Sequence, residues 1–293
     1  MESSGTMVTK DRSNPQGAPV HVLMAAGGSG LRVGTAVPKQ FLLLGDKPMY
    51  WYSLDLFLND PLVGHVLMGL SRERIPLVRE ELERYFPEDL SSGRLLLYEG
   101  GRRRQDTVYR GMDLLKNLSE KESPLLVHDA ARPFLSREIL DRAIESLLEN
   151  HPMAVGIPLA DTLWRSQAAL QREEGSAGKT IPEIESLVPR DLLYRAQTPQ
   201  GAPLSCFLEA RQKALDAGDP DFTDEAGLLL WAGFSVRIVY GSEDNRKITT
   251  PEDLSWAQKR VLEKEHIQSG RDSRKEYFVM DRQPHEQGVK KNV

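Results

Sequence analysis

A glycine-rich segment with two basic residues follows the first apolar run of the chain. The run HVLMAA leads directly into GGSGLRVGTAVPKQF, and no Asp or Glu occurs between Gly27 and Gly45. Backbone N–H groups of such a turn can approach phosphate oxygens closely, and Arg32 and Lys39 add two positive charges, which suits a triphosphate better than a dinucleotide pyrophosphate. The G-x-G-x-x-G pattern fails because Val33 takes the third glycine position, and G-x-x-x-x-G-K-[ST] fails as well. A tight turn with ordinary surface cations is the alternative interpretation.

A second basic segment, GGRRRQDTVYRG, spans residues 100–111 and holds four arginines against one acid, Asp106. Its position at the predicted start of a helix favours anion binding, because helix N-termini present free N–H groups. Gly100 and Gly101 would leave room for a base or a sugar beside the backbone. A solvated arginine-rich face would have the same composition.

Two further segments carry polar residues after apolar runs. In VHDAARPF, Asp129 closes a predicted strand, where a carboxylate could bind Mg²⁺ or a sugar hydroxyl, and Arg132 could hold an anionic group. The alternative is a helix-capping Asp beside a surface Arg. His128 has no second histidine nearby, so we interpret it as a packing residue. In EDNRKITTPEDL, Lys247 could reach a phosphate but is weak evidence alone.

Alternating short apolar runs and helix-period segments must position these residues. Such alternation indicates an α/β fold with a Rossmann-like, mostly parallel sheet flanked by helices, whose ligands lie beyond the carboxyl ends of the strands. Ser136 and Thr250 are predicted helix N-caps. The predicted strands are Val20–Ala26, Val63–Leu70, Arg94–Tyr98, Leu125–His128, Met153–Ile157 and Ser235–Tyr240. The predicted helices are Pro48–Leu58, Arg74–Tyr85, Asp106–Asn117, Ser136–Glu149, Pro203–Ala217, Asp224–Ala232 and Pro251–Lys264.

The pattern is interrupted in one place and fades at both ends. Residues 158–199 have few helix signals and a Gly/Ser-rich centre, which predicts an excursion from the domain in the form of a protruding β-arm or a lid. Residues 1–19 are polar and predict a flexible N-terminal tail, and residues 263–293 predict a charged C-terminal tail.

Composition excludes several classes of protein. The chain has 293 residues, a formal net charge of −5 and one cysteine, Cys206. One cysteine excludes a disulfide framework and multi-cysteine metal sites, and a pI near 5.8 disfavours a nucleic-acid polymer as partner. No apolar run approaches the ~20 residues of a membrane span, and the N-terminal residues do not resemble a secretory signal. We therefore expect a cytoplasmic protein that does not bind membranes.

Seven segments together resemble the 2-C-methyl-D-erythritol 4-phosphate cytidylyltransferase family of sugar-nucleotide enzymes. They span about residues 20–262 in the family's order: AGGSGLRVGTAVPKQF, GGRRRQDTVYRG, VHDAARPF, PLADT, VPRDLLYRAQTPQG, TDEA and EDNRKITTPEDL. The resemblance implies transfer of a cytidylyl group from CTP to a polyol phosphate, 2-C-methyl-D-erythritol 4-phosphate, with Mg²⁺ bound mainly by the triphosphate. It also implies a homodimer formed through the β-arm.

The same resemblance assigns roles to individual residues. The implied catalytic residues are Arg32, Lys39 and Lys247. The implied nucleotide-binding residues are Ala26, Gly27, Gly28, Gly101, Arg104 and Thr107. The implied substrate-binding residues are Asp129, Arg132, Thr162, Arg190, Thr198 and Thr223, of which Arg190 would reach the neighbouring subunit's substrate; Asp129 is also a candidate metal ligand.

The chain departs from the family at Arg102, where many members have a polar or acidic residue, and in an arm longer than that of compact bacterial members. One alternative is a ribitol-5-phosphate cytidylyltransferase, which would share the fold and the chemistry. A second is a catalytically silent member that acts as a binding or scaffold subunit.

Overall fold

A computed structural model describes residues 18–27, 38–167 and 183–263 of the chain. The predictions for Gly28, Arg32 and almost all of both tails therefore lie outside the described residues. Within the described ranges the strands are β1 (Val20–Ala25), β2 (Leu43–Leu44), β3 (Lys47–Pro48), β4 (Val63–Leu70), β5 (Leu95–Glu99), β6 (Pro124–Asp129), β7 (Met153–Pro158), β8 (Leu163–Ser166), β9 (Ile184–Val188), β10 (Tyr194–Pro203) and β11 (Arg237–Tyr240). The helices are α1 (Met49–Leu58), α2 (Ile75–Tyr85), α3 (Pro87–Ser91), α4 (Arg104–Leu115), α5 (Arg137–Leu148), α6 (Leu204–Asp216) and α7 (Glu225–Trp231), followed by α8 over residues 251–263.

Seven of these strands form one sheet in the order β11-β7-β10-β6-β1-β4-β5. Strand β1 is parallel to β4 and β6, β4 is parallel to β5, and β11 is parallel to β7. The predicted α/β class and mostly parallel sheet are confirmed. Because β1, β4, β5 and β6 all run the same way, their carboxyl ends meet at one edge of the sheet, which we call the carboxyl edge.

Helices cover both faces of the sheet, so its central strands are buried on both sides. Val22 and Met24 of β1 pack with α1, α2 and α5 on one face, whereas Leu23 between them packs with α4, α6 and α7 on the other. This two-sided burial explains why the strands read as continuous apolar runs. The predicted N-caps are also confirmed: Ile139 N–H donates to Ser136 Oγ (3.4 Å), and Asp253 N–H donates to Thr250 Oγ1 (3.1 Å).

Strand β10 was not predicted, and it lies in the middle of the sheet. It runs antiparallel to both neighbours, β6 and β7. Its pairing with β7 moves from Ala196 opposite Gly156 to Gln200 opposite Ala154, so β10 advances four residues while β7 advances two. This bulge accommodates Pro199, which would otherwise interrupt a central ladder. Residues after Tyr194 thus belong to the main sheet, although the sequence pattern assigns them to the arm.

The protruding part is a hairpin of β8 and β9, paired antiparallel from Leu163 opposite Val188 to Ser166 opposite Ile184. Its apolar side chains are largely exposed: Trp164 is 63 % exposed and Leu187 is 68 % exposed. Within the described residues, no helix is both long enough and apolar enough to cross a bilayer.

Candidate active site

Three loops begin at the carboxyl edge, and short backbone hydrogen bonds hold their first residues. After β1, Ala26 N–H donates to Gly69 O (3.0 Å), and after β5, Gly100 N–H donates to Leu70 O (2.7 Å). After β6, Ala130 N–H donates to Ala25 O (3.3 Å). The start of the loop after β1, the start of the arginine-rich segment and Asp129 therefore lie at one edge of the sheet.

Thr107 organises the arginine-rich segment from inside α4. Its hydroxyl accepts from Gly101 N–H (3.0 Å) and lies 3.2 Å from Arg103 O. A Cβ on Gly27 would lie 3.5 Å from this hydroxyl, so the loops after β1 and β5 meet at Thr107. A Cβ on Gly101 would lie 2.1 Å from Asp106 Cβ, and therefore glycine is required at 101 for close packing of the loop on its own helix.

Arg104 lies at the start of α4 and donates three hydrogen bonds to two acids. Its Nη1 and Nη2 atoms donate to the two carboxylate oxygens of Glu225 (2.6 and 2.9 Å), and its Nε donates to Asp129 Oδ1 (2.9 Å). Burial opposes the charge of Arg104, but Glu225 and Asp129 more than offset this effect and raise its pKa above the ordinary value. The donors of a residue implied to bind nucleotide are thus engaged within the protein.

Asp129 is the centre of the cluster and accepts from two sides. Its Oδ2 accepts from Lys247 Nζ at 2.9 Å and lies 3.6 Å from Arg132 Nε, while its Oδ1 faces Arg104. Burial alone would raise the pKa of Asp129, but Arg104, Lys247 and Arg132 outweigh burial and hold the pKa well below its ordinary value. The carboxylate therefore stays ionised at every physiological pH.

Lys247 is the most solvent-accessible member of this cluster. Its side chain is 38 % exposed, against 9 % for Asp129 and 27 % for Arg104. It lies between the 3-10 turn Glu243–Asn245 and α8, in the loop where the sequence pattern places it. Of the three cations around Asp129, Lys247 is thus the one whose amino group is best placed to meet a ligand.

Arg132 is buried and held by backbone carbonyls from two other segments. It donates to Asn245 O (2.9 Å) and to Ala196 O (3.3 Å). Burial lowers the pKa of Arg132, and the nearby Asp129 offsets part of this effect. Arg132 therefore fastens β10 and the loop before Lys247 to the end of β6.

Thr198 and His128 complete the buried layer beneath Asp129. Thr198 Oγ1 accepts from Asp129 N–H (3.1 Å) and lies 3.1 Å from His128 Nδ1. The other ring nitrogen of His128 lies 3.2 Å from Arg132 O, and burial lowers the pKa of this histidine to about 4. His128 is a packing residue, as interpreted from sequence, and the Thr198 hydroxyl is engaged within the protein.

Lys39 and Gln40 begin the 3-10 turn Lys39–Phe41, which ends the glycine-rich segment. Gln40 is buried, and its Nε2 donates to Ala26 O at 2.6 Å. This bond ties the far end of the segment back to the end of β1, so Lys39 is brought to the carboxyl edge. Arg32 lies outside the described residues.

The other predicted residues are more exposed. Thr223 precedes the Asp224 N-cap of α7, and Thr162 lies just before β8. Arg190 donates to Ala160 O and so closes the base of the arm.

The other arginines of the arginine-rich segment differ in their contacts. Arg103 donates to Asp106 Oδ1 (2.9 Å) and also pairs with Asp219, and Arg110 donates to Gly100 O (2.7 Å). Arg102 is exposed and makes no hydrogen bond or ion pair within the described residues.

The sequence pattern did not identify Glu225, Gln200 or Gln40 as site residues. Gln200 accepts from Ala226 N–H (2.8 Å) and donates to Asp224 Oδ2 (3.0 Å), and thereby fixes the start of α7 on β10. Each of the three bonds to residues distant in sequence, and only their positions inside the matched segments PKQF, TPQG and TDEA signalled a role.

The donor set around Asp129 does not form a metal site in this arrangement. Both carboxylate oxygens face cationic nitrogens, and the described ranges hold no group of three or more His, Cys, Asp or Glu side chains suited to a metal ion. The three cations Arg104, Arg132 and Lys247 exceed the two carboxylates Asp129 and Glu225 by one positive charge. The site is suited to attract anionic groups such as phosphates.

Comparisons with known proteins agree on one family. A model of the family described as 2-C-methyl-D-erythritol 4-phosphate cytidylyltransferase, abbreviated IspD, matches residues 20–263. The 2-C-methyl-D-erythritol 4-phosphate cytidylyltransferase of Halalkalibacterium halodurans is 34 % identical over 244 residues, which cover 83 % of this chain and 97 % of that protein.

Longer relatives and a solved structure match the same part of the chain. The bifunctional enzyme IspD/IspF of Chelativorans sp. (strain BNC1) is 35 % identical over 254 residues, covering 86 % of this chain and 57 % of that enzyme. The chain thus spans little more than half the length of the bifunctional relatives it matches. The crystal structure of the cytidylyltransferase from Thermus thermophilus is 28 % identical, with a TM-score of 0.63 over 83 % of this chain and 99 % of that one.

Proposed function

The chain belongs to the 2-C-methyl-D-erythritol 4-phosphate cytidylyltransferase family, and from this premise we propose that it transfers the cytidylyl group of CTP to 2-C-methyl-D-erythritol 4-phosphate. The products are 4-diphosphocytidyl-2-C-methyl-D-erythritol and pyrophosphate, in non-mevalonate isoprenoid precursor biosynthesis. The observation that carries the proposal is the cluster of Arg104, Arg132 and Lys247 around Asp129 at the carboxyl edge, within the residues that match the family.

The reaction needs charge neutralisation more than proton transfer. A phosphate oxygen of the acceptor forms a bond to the α-phosphorus of CTP, the bond between the α-phosphorus and its bridging oxygen breaks, and the electron pair leaves with pyrophosphate. Because the acceptor monoester is already ionised near neutral pH, no general base is required. Negative charge accumulates on the oxygens around the α-phosphorus, where fixed cations stabilise the transition state.

We assign this neutralisation to Lys39, Lys247 and Arg32. Lys39 lies near the end of the glycine-rich segment, and Lys247 pairs with Asp129 from the loop before α8. The two lysines would therefore approach the α-phosphate from different loops. Loss of one such donor typically lowers the rate by about 10²–10³. Asp129 would hold Lys247 in place and accept from a hydroxyl of the acceptor, which fits a carboxylate whose pKa the neighbouring cations lower.

Binding of the nucleotide is assigned to the loops after β1 and β5. Backbone groups of Ala26, Gly27 and Gly101 border the site, and Gly28 continues the first loop outside the described residues. The contacts of Thr107 and Arg104 support a role in shaping these loops rather than in contacting the base. The residues predicted to bind the acceptor, the polyol phosphate, remain Thr162, Arg190, Thr198 and Thr223.

We further propose that Mg²⁺ arrives with CTP, held mainly by triphosphate oxygens, where it would screen their charge. No protein ligand is assigned to it, because both oxygens of Asp129 face cations. The exposed apolar residues Trp164 and Leu187 on the arm support homodimerisation through this hairpin. A cytoplasmic location stays a prediction from composition.

The test is a pyrophosphate-release assay with CTP and either of two acceptors, 2-C-methyl-D-erythritol 4-phosphate or ribitol 5-phosphate. We expect turnover with the first acceptor. Turnover with the second alone would instead identify a ribitol-5-phosphate cytidylyltransferase, and no turnover with either would identify a silent member. The chemistry alone does not separate the two polyol phosphates, whereas the family match favours the first.

A further inference from the structure

A continuous line of ion pairs runs through the site from α7 to the loop before α8. Glu225 holds Arg104 by both carboxylate oxygens, Arg104 holds Asp129 Oδ1, and Asp129 Oδ2 holds Lys247. Glu225 is 4 % exposed, and within the described residues its carboxylate pairs with Arg104 and not with Lys247. We propose that Glu225 is a positioning residue for the reaction proposed above, acting on Lys247 through Arg104 and Asp129.

The geometry of the Glu225–Arg104 pair fixes the orientation of the Arg104 side chain. Two parallel N–H···O bonds between a guanidinium and a carboxylate set the orientation of the guanidinium plane, not only its distance. The third donor, Nε, then points at Asp129 Oδ1 in one direction. Glu225 itself is fixed because Asp224 caps α7, where Gly227 N–H donates to Asp224 Oδ1 (2.9 Å), and Gln200 holds the same turn.

Charge explains why Lys247 would respond to a change at Glu225. Asp129 is shared between Arg104 and Lys247, whereas Glu225 neutralises Arg104 from the other side. Without the charge of Glu225, the partly buried guanidinium of Arg104 would have one remaining carboxylate partner, and Asp129 would move towards it. The hold of Asp129 on the ammonium group of Lys247, which has the more exposed side chain, would then weaken.

The first experiment measures this coupling without any substrate. Glu225→Gln, Lys247→Gln and the double variant are unfolded in urea, and the midpoint shifts are compared. Residues in one ionic network are non-additive, whereas distant residues add. We expect the shift of the double variant to differ from the sum of the two single shifts. Additive shifts would overturn the proposal whatever reaction the protein catalyses.

A matched control uses Asp60, a fully buried carboxylate that pairs with Arg137. Asp60 precedes β4 and so lies at the opposite edge of the sheet from Asp129. Asp60→Asn removes a buried negative charge as Glu225→Gln does, and its midpoint shift should add to that of Lys247→Gln. If Glu225→Gln does not fold, Glu225→Asp, which keeps the charge but shortens the reach, takes its place.

The second experiment separates positioning from a merely structural role. Because a misplacement of about 1 Å can cost about 10²-fold in rate, we expect Glu225→Gln to lower kcat at least about tenfold. The KM for CTP should stay within about twofold of the original value, and Asp60→Asn should change neither constant. A higher KM for CTP at unchanged kcat, or a kcat equal to that of Asp60→Asn, would overturn the assignment.

The proposed function can be refuted without refuting the inference about Glu225. If the unaltered protein releases no pyrophosphate from CTP with either polyol phosphate, the proposed reaction is wrong. The urea measurements would still decide whether Glu225 and Lys247 are coupled through the ion pairs.

Discussion

Replacement of Asp129 by asparagine is the most informative single change, because one carboxylate faces three cations. Asparagine preserves the size of the side chain and removes its charge. Arg104 would keep Glu225 as a partner, but Lys247 and Arg132 would lose theirs. The change therefore tests whether the cluster depends on Asp129.

The expected loss follows from burial. Removing one partner of a buried ion pair typically costs about 3–5 kcal/mol. We expect the lower limit, about 3 kcal/mol, because the half-exposed Lys247 can return to water and Arg104 remains paired. For a domain of this size that loss corresponds to a fall in Tm of about 6–12 °C.

Lowering the pH should reduce the difference in the free energy of unfolding between the unaltered protein and the Asp129→Asn variant. The folded protein holds the pKa of Asp129 well below its ordinary value, whereas the unfolded chain takes up a proton at this residue near pH 3.9. The unfolded state therefore binds more protons, and the stabilisation due to Asp129 decreases as the pH falls below about 4. By pH 3 the advantage over Asp129→Asn should shrink by about 1 kcal/mol.

Urea unfolding at pH 6 and pH 3 measures both effects. Asp113→Asn is the control, since its carboxylate pairs with Arg211 at the surface and is 56 % exposed. Loss of such an exposed pair should cost less than about 1 kcal/mol. If Asp129→Asn cost no more than the control, or the same amount at both pH values, the electrostatic account of the cluster would be refuted.

Three other changes probe separate parts of the molecule. Burial and the neighbouring His65 lower the pKa of His21 to about 4, so His21 alone lowers the free energy of unfolding by about 2 kcal/mol between pH 7 and pH 5; His21→Asn should remove this part of the loss in urea titrations, and an unchanged loss would contradict the prediction. Gly101→Ala places a Cβ 2.1 Å from Asp106 Cβ and should lower the free energy of unfolding, measured by calorimetry, by about 1–3 kcal/mol; an unchanged Tm would contradict the prediction. Lys39→Ala should lower kcat by about 10²–10³ and change the free energy of unfolding in urea by less than about 1 kcal/mol; near-normal turnover would exclude Lys39 from the reaction.

Most of the fold could be predicted because its strands are buried on both faces. The apolar runs of β1, β4 and β6 stand out against the helix-period segments between them, and the predicted bounds agree with the structure to within about two residues for these strands. Strand β10 could not be predicted in the same way. Within it, Gln197 and Thr198 are polar, and Pro199 has no backbone N–H to donate to a neighbouring strand. The burial of these residues depends on partners in β6, β7 and the loop before α8.

The site was predicted in part, and the missing part is the pairing. Asp129, Arg132 and Lys247 are candidates because of their positions after strands, and the structure brings them together. The resemblance predicts that Arg104 binds nucleotide, and the structure adds that its donors reach Glu225 and Asp129. A contact between residues 121 apart in sequence depends on how α7 packs beside α4, which no local spacing or propensity encodes.

The base of the arm is closed by the same antiparallel ladder that carries β10 into the sheet. Tyr194 pairs with Pro158, and Arg195 pairs with Ile157, before β10 reaches Thr198 and Gln200. The pairs at the base of the arm, rather than the length of the arm, therefore set the position of Thr198 beneath Asp129.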